Sequence, residues 1–97
     1  MNESWKSTLR TKKETWKLQY GLTRLAVFGS QARGTPQHGS DLDLLVNFQR
    51  PLRLDLLQFI ALSQELEEEL KVRIDMVMET DLKPGIRENI LLEAIDL

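Results

Sequence analysis

The chain is 97 residues long, 41% hydrophobic and 29% charged, with a formal net charge of −2 and no cysteine. That length suits one domain with a hydrophobic core and leaves no room for a second substrate-binding domain, so residues 1–97 are expected to form a single unit. Without cysteine there are no disulfides or thiolate metal sites, and no stretch is apolar enough for a signal peptide or a membrane span. A cytoplasmic protein with no membrane contact is expected.

Residues 4 to about 20 read as a helix, with Gly21 suited to its C-terminal cap. Trp5, Leu9, Trp16 and Tyr20 make a rough apolar stripe, while Lys6, Arg10, Lys13 and Lys17 recur at helical spacing opposite them. A first strand is expected over 24–28, with Ser30 as N-cap of a short helical turn, then a loop over 35–39 holding Pro36 and Gly39. A second strand follows over 41–48. Residues 54–70 read as a helix that narrows to Phe59, Leu62, Leu66 and Leu70, with Glu65, Glu67, Glu68 and Glu69 expected as its solvated side. A third strand is expected over 73–78. Pro84 opens a last helix over 84–95, with Ile86, Ile90 and Ala94 facing inward. The alternation is that of an α/β (α+β) domain with about three strands.

The stretch FGSQARGTPQHGSDLDLLV, residues 28–46, carries the chemistry. A Gly29-Ser30 turn leaves the apolar run of the first strand, with Arg33 close behind. Side chains at i and i+2 of a strand share a face, so Asp41 and Asp43 project together while Leu42, Leu44 and Val46 pack behind. Two ionised carboxylates about 6–7 Å apart along a strand repel by roughly 2–3 kcal/mol at an effective dielectric near 20. Asp is also depleted in strand interiors. A compensating cation is the plain way to hold the pair. On the third strand Arg73, Asp75 and Val77 share one face, and a charge centred in an apolar strand is costly unless paired or bound to metal. If that strand lies beside the second, Asp75 can face Asp41 and Asp43. A salt bridge from Asp75 to Arg73 or Arg33 is the structural alternative. His38, the sole histidine, lies near this site but has no evident orienting partner and is left out of it.

At these residues the chain resembles the minimal nucleotidyltransferases of the DNA polymerase β superfamily. Gly29-Ser30-Gln31-Ala32-Arg33-Gly34 and Ser40-Asp41-Leu42-Asp43-Leu44-Leu45-Val46 match the family's glycine-serine and double-aspartate signature. Asp75, in Val72-Arg73-Ile74-Asp75-Met76-Val77, fits its third carboxylate, and Lys83-Pro84-x-Ile86-Arg87 fits a helix start of the group. Gln31 stands where an aromatic or small apolar residue is commoner. The resemblance implies a mixed sheet flanked by helices, a catalytic core over 22–97 behind an N-terminal helix over 1–21, and transfer of a nucleoside monophosphate from an NTP. It also implies an antitoxin role beside a HEPN-domain toxin.

The roles that follow are concrete. Asp41 and Asp43 are expected to hold one Mg²⁺ with the triphosphate of ATP, and with Asp75 a second Mg²⁺ that activates the attacking hydroxyl. Asp75 is also the natural general base. Gly29 lets the backbone approach the phosphates, N–H groups after Ser30 point at them, and Ser30 Oγ can donate to a phosphate oxygen. Arg33 either neutralises the leaving pyrophosphate or braces the carboxylates. Catalytic residues are thus Asp41, Asp43 and Asp75, and phosphate-binding residues Gly29, Ser30 and Arg33. A chain this short must find its acceptor on a partner's surface, which favours a protein hydroxyl, with no nucleic acid or membrane involved. Two other readings stay open: a non-catalytic antitoxin that sequesters its toxin, and a small-molecule nucleotidyltransferase. Residues 1–24 carry a net charge of +4 against −6 for the rest. The basic stripe there is either a solvated face or an electrostatic guide for NTP or an acidic partner.

Overall fold

The computed structural model describes residues 4–29 and 42–97. In chain order it comprises α1 (Ser4–Tyr20), β1 (Leu22–Phe28), β2 (Leu42–Phe48), α2 (Leu56–Leu70), β3 (Ile74–Met78), a 3-10 turn (Glu79–Asp81), α3 (Pro84–Glu93) and β4 (Ile95–Asp96). The strands form one sheet in the order β3-β2-β1-β4. β1 is antiparallel to β2 and β4, whereas β2 and β3 are parallel and joined through α2. The expected mixed sheet flanked by helices is present, with a fourth strand at its edge.

One face of the sheet carries the core. Leu25 and Val27 of β1, Leu42, Leu44, Val46 and Phe48 of β2, and Ile74 and Met76 of β3 are buried there with Trp5, Leu9 and Trp16 of α1 and Leu62 and Leu66 of α2. The two-residue period of each strand sorts these side chains to one side. The opposite face presents Ala26 and Leu45, both fully buried, beside Asp43 and Asp75.

Local signals place the helix ends. Gly21, at φ 70°, closes α1 by donating to the Lys17 carbonyl, a left-handed position that glycine takes without strain. The α2 helix begins two residues later than its periodicity suggests because Asp55 caps it: its carboxylate accepts the Gln58 N–H, and the Gln58 side chain accepts the Asp55 N–H in return. Leu54 before the cap is buried and Phe59 packs against the core, the apolar pair that fixes the chain's entry into a helix.

The glutamates of α2 are largely solvent-facing, as expected, and three of them also make bonds. Glu65 and Glu69 both hold the Lys12 ammonium, at 3.0 and 2.9 Å, and Glu67 accepts the Ile74 N–H that opens β3. The last helix stops at Glu93, since Ala94 adopts extended geometry and Ile95–Asp96 pairs with Ala26 and Val27 instead. Nor does that helix face inward as its spacing suggests: Ile86 is 53% exposed and α3 buries no residue fully. The basic stripe is also only partly solvated. Lys13 Nζ donates to the Leu97 carbonyl and Lys6 lies over the Trp5 ring, leaving Arg10 and Lys17 exposed.

The Lys12 cluster ties α1 to α2, and the hydrogen bond to Glu69 raises the lysine's pKa above its ordinary 10.5. A raised pKa in the folded state stabilises the protein fully below the unfolded value and loses that effect as pH climbs past the folded one. Lys12→Met should therefore cost up to about 1 kcal/mol at neutral pH, since both glutamates are solvent-facing. Thermal melts of variant and wild type should converge as the pH climbs past the lysine's raised pKa.

Candidate functional site

The register of the sheet assembles the site. Phe28 pairs with Asp43 across β1 and β2, and Asp43 pairs with Asp75 across β2 and β3. Paired residues on neighbouring strands project to the same face, so the two carboxylates stand side by side on strands about 4.8 Å apart. Asp43 is half-buried, Asp75 exposed. The apolar neighbours Ile74 and Met76 turn to the core, which leaves Asp75 on the site face as its alternation requires.

Gly29 follows Phe28 directly and abuts Asp43. It sits at φ 74°, and a Cβ placed on it would meet Asp43 Oδ2 at 2.1 Å. Only glycine fits that conformation and that contact together. Its N–H donates to Glu93 Oε1 at 3.1 Å. Gly29 thus lies between two carboxylates, one met by its α-carbon and the other by its amide.

A second polar group holds the far end of the same face. Glu79 is buried, with its carboxylate 3.4 Å from Arg87 of α3 and 3.9 Å from Arg24 of β1; Arg24 also lies 3.8 Å from Asp96. Neither this group nor Glu93 is visible to sequence reasoning. Glu93 lies 64 residues from Gly29, and no local period links them.

Of the six site residues expected from sequence, the structure brings Gly29, Asp43 and Asp75 together. Ser30, Arg33 and Asp41, and likewise His38, lie outside the described residues. The donor set suits Mg²⁺: Asp43 and Asp75 offer only hard carboxylate oxygens, aligned by strand register rather than by chance approach of long side chains. At this spacing the charges repel by roughly 1–3 kcal/mol, depending on how much solvent screens them, which a bound cation would offset.

A mixed sheet with acidic residues in register beside a glycine turn, built on this topology, is the arrangement of a nucleotidyltransferase. The chain belongs to the nucleotidyltransferase domain family, whose model matches residues 9–97. It is 38% identical over 93 residues to the protein adenylyltransferase MntA of Thermococcus cleftensis, covering 96% of this chain and 92% of that one. A solved candidate minimal nucleotidyltransferase is 44% identical, with a TM-score of 0.74 and 94% of both chains covered. The fold also matches a chain of the complex between a tri-AMPylated Shewanella oneidensis HEPN toxin and its MNT antitoxin, at 17% identity and a TM-score of 0.71, over 99% of this chain and 71% of that one. Among the described residues, no helix is long and apolar enough to cross a membrane.

Proposed function

We propose that this nucleotidyltransferase is a Mg²⁺-dependent protein adenylyltransferase that transfers AMP from ATP to a hydroxyl of a HEPN toxin, and thereby acts as its cytoplasmic antitoxin. The observation that carries the reading is Asp43 facing Asp75 in register beside Gly29. The protein adenylyltransferase name of a relative 38% identical supports AMP as the group moved, and the AMPylated toxin of a like-folded complex supports the acceptor class.

Asp41, Asp43 and Asp75 would hold the metal; when bound, Mg²⁺ supplies charge neutralisation on the triphosphate and a lowered pKa at the acceptor hydroxyl. Asp75, the more exposed carboxylate, takes the proton of that hydroxyl as it attacks the α-phosphorus. The backbone N–H groups after Gly29 would meet the phosphates, with Ser30 Oγ donating to an oxygen. Arg33 balances charge on the departing pyrophosphate. Most of the rate enhancement then comes from positioning and charge stabilisation.

The reading is tested by incubating the protein with its toxin, Mg²⁺ and ATP labelled at either the α- or the γ-phosphate. Label from the α-phosphate should appear on the toxin; label from the γ-phosphate would mark a kinase. Asp75→Asn should retain Mg-ATP binding but slow transfer by about 10²–10⁴-fold, the usual worth of a general base. Loss of ATP binding with an unchanged rate per bound nucleotide would move Asp75 out of that role. Stoichiometric inhibition of the toxin by a variant lacking all three aspartates would replace catalysis with sequestration.

A further inference from the structure

The first half of α2 is apolar on two opposite sides. Its inner side supplies Leu62 and Leu66 to the core, with Phe59 and Leu70 packed against them. Its outer side carries Leu56, Leu57 and Ile60, which are 71%, 78% and 41% exposed. Residues at i, i+4, i+7 and i+11 of a helix fall on one line. Leu57, Ala61, Gln64 and Glu68 make such a line, all of them exposed, and Leu56 and Ile60 lie beside it. Scattered exposed aliphatics are ordinary, whereas neighbouring ones that form a continuous surface mark a place of contact.

The charges that flank this surface say what fits it. Arg53 stands before the helix start and Glu68 lies near its end, both exposed. Glu65, Glu67 and Glu69 are engaged with Lys12 and the Ile74 N–H, and Glu68 takes no part in those bonds. Glu68 lies eight residues beyond Ile60, about 12 Å along the helix, and Arg53 seven residues before it. A second copy laid antiparallel, with a two-fold axis beside Ile60, brings each Arg53 level with the Glu68 of the other copy. The aliphatic side chains then meet between two pairs of opposite charge. A parallel arrangement would instead set Glu68 against Glu68 and Arg53 against Arg53. Antiparallel packing also places the positive N-terminal end of each helix beside the acidic end of the other.

We propose that the outer face of α2 is a homodimer interface: two copies pack antiparallel through Leu56, Leu57 and Ile60 and pair Arg53 with Glu68. The inner side of α2 covers the core face of the sheet, whereas Asp43 and Asp75 stand on the opposite face. Both candidate sites therefore stay open in the dimer. One helix pair buries less area than a standard interface, so association is concentration-dependent, with a Kd on the order of 10 µM.

The test is sedimentation velocity on the full chain from about 1 to 500 µM, a range that brackets a Kd of this order. The wild type should pass from monomer to dimer. Leu56→Glu combined with Leu57→Glu should stay monomeric throughout and keep its fold by circular dichroism, since neither side chain belongs to the core. Arg53→Glu and Glu68→Arg should each weaken dimerisation by about tenfold or more, because like charges then face each other at both ends of the interface. Mixing these two variants in equal amounts should restore it, since both opposite-charge pairs are rebuilt only between unlike chains. Should the leucine variant fail to fold, the mixture still decides. A wild type that stays monomeric across the range overturns the proposal, and loss of toxin binding by the leucine variant would then assign the face to the toxin. Dimerisation that survives the leucine changes places the interface elsewhere and overturns it as well. A mixture that dimerises no better than either charge variant alone overturns the antiparallel pairing.

Discussion

Replacing Asp43 by Asn is expected to lower nucleotidyl transfer on the order of 10³-fold or more, equivalent to about 4 kcal/mol of transition-state stabilisation. The melting temperature should move by only a few degrees. Asp43 is the residue on which the site converges: it pairs with Phe28 on one side and with Asp75 on the other, and it lies against Gly29. An amide keeps its size and hydrogen-bonding capacity but loses the charge that a divalent cation needs. Its effect on folding has two opposed parts. Repulsion from Asp75 disappears, which at this spacing is worth roughly 1–3 kcal/mol, while the interactions Asp43 makes with its own neighbours weaken. The apo protein should thus hold its stability, whereas the stabilisation that Mg-ATP confers on the wild type should be lost. Comparing melts with and without Mg-ATP checks both at once. A variant that still transfers AMP at a tenth of the wild-type rate or better would mean that Asp43 is not a metal ligand.

The part of this site that was legible in the sequence is the part governed by short periods. Asp75 opposite Asp43 follows from two-residue alternation in two apolar strands plus their adjacency, and the structure supplies that adjacency as parallel pairing. Buried Trp5, Leu9 and Trp16 follow from helical spacing in the same way. What escaped is set by contacts distant in the chain. The β4 strand is two residues long, and its pairing with Ala26 and Val27 leaves no local signal; the repeat of Ile86, Ile90 and Ala94 imitates a longer helix. The α2 glutamates are solvated as expected, but the hold of Glu65 and Glu69 on Lys12 of another helix has no local signal. Glu93 is legible only once α3 is laid beside the Gly29 turn.

Gly29 shows the same limit in sharper form, and it makes the second large prediction. From sequence, a side chain at this position obstructs the backbone's approach to the phosphates. The structure adds a nearer obstacle, because the first atom of any side chain would lie 2.1 Å from Asp43 Oδ2 and 3.1 Å from its Cγ. Either the turn or the carboxylate must shift. A non-glycine residue at φ 74° costs a further ~1–2 kcal/mol in left-handed geometry, more for a β-branched one. Gly29→Val should therefore abolish Mg-ATP binding and lower stability by about 2–4 kcal/mol, and even Gly29→Ala should lose most of its affinity. At roughly 4–8 °C per kcal/mol for a domain of this size, thermal melts resolve the stability change easily. The cause can be assigned by a double-mutant cycle with Asp43→Ala, which removes the clashing atoms. If the Asp43 contact dominates, Gly29→Ala should cost about 1 kcal/mol less stability in the Asp43→Ala background than in the wild type. Additive costs would instead locate the penalty in the backbone conformation alone. Wild-type ATP affinity in Gly29→Ala would remove the Gly29 turn from the nucleotide site.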